Sequence, residues 1–292
     1  MNIYFLTMNN TVKFLFLISL LILPFISQAA GIAMVTDLQG KANVTIDGKS
    51  KEITILSEFP QAAQVQLSAG ANLVTMYLDS GEEYAFKGPA SIIFKPGQPE
   101  VISGAKPEKR SNVLGKAGST VRIKSTGVVQ GAMVMRGGKA SAKIRLLNLL
   151  KTKTLESQPE FLWQEVQGGG KYHFELIDDA GRLLHETDIE THSLKLPASV
   201  QLKEGITYSW TITHTTDDGR KLSGSGDFSL ASAELRALAN ELKPTSNSPL
   251  ATRISYAAWL DQMDLKDEAK QYWKAAALER PEDIQLKALA EK

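Results

Sequence analysis

Between Met34 and Phe94 apolar side chains return at every second position. Val65 and Leu67, then Leu73, Thr75 and Tyr77, then Tyr84 and Phe86, keep period two, the mark of strands with one face toward a core. Turn signals separate these runs: Gly40, Asp47-Gly48, Ser80-Gly81 and Gly88-Pro89. Asp-Gly between two alternating runs favours a two-residue hairpin, because both residues accept a positive φ. The pattern predicts a small β-sandwich or roll over residues 30–104. It recurs over 158–230, where Tyr172, Phe174 and Leu176 alternate with His173 and Glu175, and where Asp179-Ala180-Gly181 and Asp218-Gly219 mark turns. Large aromatics fill the space between packed sheets, so Trp163 and Trp210 are assigned to the core of this second sandwich. From Ser232 the period becomes helical. "SAELRALANELKP" predicts a short helix that Ser232 begins and Pro244 stops. A helical hairpin follows, with a third helix from Ile284 to Leu289. Leu265, Ala269, Trp273 and Ala276 share one helical face with Tyr272. One hairpin cannot bury both of its faces, so this stripe is expected to meet a partner, with bracing of the β-domains as the alternative. The fold class is mainly β: two small β-sandwich or roll domains in tandem, then a short α-helical tail over 231–292.

The ends and the middle of this pattern carry different chemistry. Lys13 precedes the apolar run "FLFLISLLILPFI" and the small residues "SQAAG". That order predicts a secretory signal peptide over residues 1–29, cleaved near Ala29 or Ala30, with translation starting at Met1 or Met8. The apolar run is too short to span a bilayer comfortably. The expected location is therefore the periplasm, with no stable membrane insertion after cleavage. The chain has 292 residues and no cysteine, which excludes disulfides, thiolate zinc sites and thiol nucleophiles. Its net charge is +1, but the distribution is uneven. Between Lys106 and Lys153 twelve basic residues face a single acid, Glu108. Residues 105–157 are expected to be a basic connector with one or two docked strands. Lys139, Lys143 and Arg145 are its candidate contacts for an anion or a partner.

"VQGGGKYHFELIDDAGRLLHE", from Val166 to Glu186, has three glycines and a lysine. A phosphate loop needs a glycine where Glu165 stands and Ser or Thr where Tyr172 stands. The residues after Lys171 alternate as a strand does, so the glycines join two strands. His173, His185, His192 and His214 lack metalloprotease spacing and a nearby carboxylate cluster suited to a metal. His185 and His192 could meet across a hairpin, but the expectation is solvent-facing histidines. The "TDDG" and "IDDAG" segments lack the alternating acids of a calcium loop. No serine-hydrolase elbow occurs. The expectation is no enzyme, with no catalytic, cofactor-binding or metal-binding residue.

Three resemblances add to this reading. "GIAMVTDLQGKANVTIDGK" and "AQVQLSAGANLVTMYLDSGEEYAFKGPASIIF" resemble the FecR-type periplasmic β-domain. "PEFLW", "YHFELIDDAG" and "LKEGITYSWTI" resemble a fibronectin type III or immunoglobulin-like domain. Ala269, Trp273, Ala276 and Pro281 resemble the second half of a tetratricopeptide unit; Tyr256, Ala257 and Leu260 match its first half, with Arg253 where an aromatic usually stands. Together they imply an exported binding or scaffolding protein of the bacterial cell envelope. The partner implied is an envelope protein or an anionic envelope polymer, not a nucleic acid. Two alternatives stay open: a sensing component of a FecR-type system acting through a separate membrane partner, and a cell-wall glycan hydrolase.

Overall fold

The computed structural model describes residues 31–111, Leu114, 143–166 and 170–292. The expected signal peptide, most of the basic connector with Lys139, and Gly168 and Gly169 lie outside the described residues. The order of elements is strands first and helices last, as the change of period at Ser232 predicts.

Ten strands build the first sandwich. One sheet joins β10 (Glu108–Ser111), β7 (Glu82–Lys87), β6 (Asn72–Tyr77), β1 (Ala33–Gln39) and β4 (Glu58–Phe59) in that order. The other joins β3 (Lys49–Glu52), β2 (Ala42–Ile46), β5 (Gln64–Leu67), β8 (Ala90–Phe94) and β9 (Pro99–Ser103). Both are antiparallel, and their inner faces share a core of Val35, Phe59, Leu73 and Phe86 against Val44, Val65, Ile92 and Phe94. Asp47 and Gly48 have φ of 51° and 75° and join β2 to β3 directly, with Ile46 opposite Lys49.

The second sandwich has a main sheet and a small one. The main sheet runs β11 (Thr152–Thr154), β17 (Lys221–Leu230), β16 (Thr207–Thr215), β13 (Tyr172–Ile177) and β14 (Leu183–Ile189). β11 lies parallel to β17, and the other pairs are antiparallel. β12 (Glu160–Leu162) pairs with β15 (Ser193–Lys195) to cover its inner face. Trp163 and Trp210 are fully buried there beside Phe161 and Phe174. The Trp210 indole donates to Leu149 O at 3.1 Å. The connector is drawn into both sheets: β10 pairs with β7 of the first, and β11 with β17 of the second.

Four helices close the chain: α1 (Ala233–Leu242), α2 (Leu250–Gln262), α3 (Lys266–Glu279) and α4 (Ile284–Glu291). Ser232 caps α1 by accepting from Leu235 N, which satisfies one free amide of its first turn. The stripe on α3 faces inward. Leu265, Ala269, Trp273 and Ala276 are buried against Trp259, Leu260, Leu286 and Leu289 of α2 and α4. The same core takes in Met34, Ile55 and Met76 of the first sandwich. Hence β1 and β6 are covered on both sides, Val35 and Leu73 by the opposing sheet and Met34 and Met76 by helices. The expectation that this stripe offers a contact face to a partner is corrected: the chain covers it with its own apolar surface.

Candidate functional site

The described part of the connector makes an open groove beside the second sandwich. Lys143–Leu150 reads "KIRLLNLL", and its alternation decides which side chains sink. Ile144, Leu146 and Leu149 are buried, while Lys143, Arg145, Leu147 and Leu150 face out. Ile144 N donates to Ser223 O, Leu147 N to Leu162 O, and Gln164 N to Arg145 O. The segment thus staples β17 to β12 and to Gln164 just past it. Glycine makes this possible: a Cβ on Gly224 would stand 2.5 Å from Ile144 O and 2.8 Å from Leu146 Cδ2.

The outward side chains line a groove of about 660 Å³ together with Ser223, Ser225, Lys270, Glu291 and Lys292. Four basic side chains therefore stand around one acidic side chain, Glu291, beside the exposed Leu147 and Leu150. Among the described residues no side-chain ion pair engages Lys143 or Arg145. Unpaired cations around a concave surface focus a positive potential. Lys143 and Arg145 are thus brought together, joined by Lys270 of α3 and Lys292 past α4, which sequence reasoning missed. The separation of more than a hundred residues between Arg145 and Lys270 hides the pairing from any local pattern.

Hydrogen bonds place α3 against this segment. Asp267 Oδ2 accepts from Leu149 N at 2.7 Å, and Glu268 Oε1 accepts from Leu155 N at 2.9 Å. The Thr152 hydroxyl donates to Asp264 O and accepts from Lys266 N. Burial pushes both carboxyls above the usual carboxylate range, and these amide donors pull them partly back. Both acids are committed to holding the chain.

The histidines differ from expectation. Gly170 has φ of 109° and packs on His214, which is buried against Tyr172. The His185 ring lies 6.1 Å from that of Phe174. Neither makes a cluster with His192 among the described residues. His173 differs from the expectation that no histidine has a nearby carboxylate cluster, since Glu175 and Glu186 stand beside it. The register of β13 with β14 sets it opposite Asp188, and sets Glu175 opposite Glu186. All four side chains are on the outer face, at alternate positions of two strands that a short turn joins. The period-two pattern contains this placement, once the register is known.

No family model matches the chain, and no curated protein matches it. Among solved structures, the crystal structure of CopC from Methylosinus trichosporium OB3b aligns at 18% identity, covering 30% of this chain and 92% of that one with a TM-score of 0.23. A likeness at that level carries no argument about this protein.

Proposed function

We propose that the chain is an exported, non-enzymatic binding or scaffolding protein of the bacterial cell envelope, and that it attracts an anionic polymer or an acidic protein surface through the groove of Lys143, Arg145, Lys270 and Lys292. One observation supports it above the rest: four cations converge on one groove with a single acid among its lining residues. The signal-peptide pattern from Lys13 to Ala30 supports export, and no helix among the described residues is long and apolar enough to cross a membrane. The FecR-like, fibronectin-like and tetratricopeptide-like resemblances belong to this same reading. A hydrolase reading has less support, since Asp267 and Glu268 are bound to backbone amides and Glu175 and Glu186 lie on an open sheet face.

Co-sedimentation with anionic vesicles and with isolated envelope, across a salt series, tests the proposal. Exposed charges are screened over about 8 Å at physiological ionic strength. Retention is therefore expected at low salt and loss at high salt. Charge reversal of Lys143, Arg145 and Lys270 together removes most of the low-salt retention. Retention that ignores both salt and the triple reversal would refute the groove.

A further inference from the structure

The outer face of the β13–β14 hairpin holds a constellation that the groove does not use. The His173 Nδ1 lies 2.8 Å from Asp188 Oδ1. Its Nε2 lies 3.2 Å from Glu175 Oε1 and 3.3 Å from Glu186 Oε1. We infer that this face is a binding site for a transition-metal dication of the zinc class, with His173 Nε2 and one oxygen each of Glu175 and Glu186 as ligands and Asp188 orienting the ring.

Three observations carry the inference. First, Glu175 and Glu186 are directly opposite in the register, and like charges so placed destabilise a strand pair. Among the described residues the ion partner of each is His173 alone. A divalent cation turns that repulsion into shared attraction. Second, the two sides of the imidazole are unlike. The contact to Asp188 has the length of a charge-assisted hydrogen bond, while the two contacts at Nε2 are longer than the roughly 2.7–2.9 Å of such bonds. One Nε2 proton shared between two carboxylates makes a straight hydrogen bond to neither. In a tetrahedral shell with bonds of about 2.0–2.2 Å, neighbouring ligand atoms stand about 3.3–3.6 Å apart, and the two distances from Nε2 lie near the short end of that range. Third, Asp188 occupies the place that metal-binding histidines need filled. A carboxylate on the second ring nitrogen selects the tautomer whose free lone pair faces the metal.

The ligand set also says which ions fit. Nitrogen with two carboxylate oxygens suits zinc and its neighbours, whereas magnesium and calcium prefer oxygen alone. All three ligand atoms lie within 4.8 Å of one another. They are held on paired strands, which position side chains better than loops do. The three residues are half-buried or exposed, so the outer side of the ion stays open to water or to a ligand group of a partner.

Isothermal titration of the purified protein with ZnCl₂ in a non-chelating buffer tests the site. One equivalent is expected to bind saturably, and excess Mg²⁺ or Ca²⁺ is expected not to displace it. His173→Ala and the double variant Glu175→Gln/Glu186→Gln remove that equivalent. Asp188→Asn weakens it roughly 10–100-fold. The variants lie on the solvent face, and circular dichroism without metal checks that they fold. A second measurement needs no variant: long-range ¹H–¹⁵N spectra of the histidine rings during the same titration. Movement of the His173 ring signals on Zn²⁺ addition supports the site. Absence of a saturable equivalent, binding that survives His173→Ala, or movement confined to His185, His192 or His214 overturns it and leaves an imidazolium ion pair.

Discussion

Gly224 and Trp210 show how single residues set the groove. Gly224 admits the Ile144 carbonyl and the Leu146 side chain into space that any side chain would fill. The contact at 2.5 Å is with backbone, which cannot rotate away. Gly224→Ala is therefore expected to cost about 1–3 kcal/mol, read by chemical denaturation, and to loosen salt-sensitive retention because Lys143 and Arg145 ride on the displaced segment. Trp210 works on the same inner face, opposite Gly226 of β17. Its indole fills the sandwich core and also satisfies the Leu149 carbonyl. Trp210→Ala leaves a cavity and an orphaned acceptor, and should cost roughly 3–5 kcal/mol. Trp210→Phe keeps more of the packing but not the hydrogen bond, so a smaller loss of about 1–3 kcal/mol is expected. A Trp210→Ala protein that melts with the parent would show that the indole is not a core group.

At the scale of elements, the start of α3 explains why the helical tail adheres to the sandwich. Asp264, Lys266, Asp267 and Glu268 bind backbone or hydroxyl groups of Leu149, Thr152, Lys153 and Leu155. The Leu155 amide favours the charged form of Glu268, but burial outweighs it and raises the pKa, with Asp267 and Glu156 adding repulsion. A raised carboxyl binds its proton more tightly folded than unfolded. Its contribution to stability therefore falls as pH rises from the unfolded pKa, about 4.3, through the folded one. Glu268→Gln keeps an acceptor for Leu155 N and has no proton to release. Relative to this variant, the parent should lose stability as pH rises over the range that starts near the unfolded pKa of about 4.3. Denaturation midpoints of both proteins across that range measure the difference; parallel curves would contradict the assignment. Asp267 has the same sign and remains in both proteins, so the difference reports Glu268 together with its coupling to Asp267.

For the whole molecule, the helices are joined to both sandwiches by side-chain contacts. Met34, Ile55 and Met76 of the first pack into the helical core. Arg280 past α3 pairs with Asp37 of β1 at 3.4 Å, and Arg236 of α1 pairs with Glu204 beside the second sandwich at 2.9 Å. Burying a side chain of the Met or Ile class is worth about 1.5–3 kcal/mol. Deleting residues 246–292 should therefore expose an apolar patch on β1 and β6, increase binding of a hydrophobic dye, and lower the melting temperature of what remains. It also removes Lys270 and Lys292 from the groove. If the shortened chain melts as the parent does and binds no dye, the brace is dispensable.

Local alternation and turn chemistry were sufficient for the mainly β class, for the Asp47-Gly48 hairpin and for the burial of Trp163 and Trp210, because each depends on neighbours within one or two strands. Ser232 announced its helix for the same reason, since a cap acts within one turn. The destination of the Leu265–Trp273–Ala276 stripe was not legible in that way. An apolar helical face states that it needs cover, not what covers it, and here α2 and α4 cover it within one core that also takes in Met34 and Met76 from far earlier in the chain. Those methionines stand on the outward positions of β1 and β6, where an apolar residue was the one local sign that both faces are buried. The groove has the same character: Lys143 and Arg145 were legible as exposed cations in a basic stretch, but Lys270 and Lys292 join them through the docking of α3 and α4. His173 needed less, since Glu175, Glu186 and Asp188 all lie within one hairpin. Only the register of β13 against β14 decides that they meet, and a shift of one residue would have sent the carboxylates of β14 to the other face of the sheet.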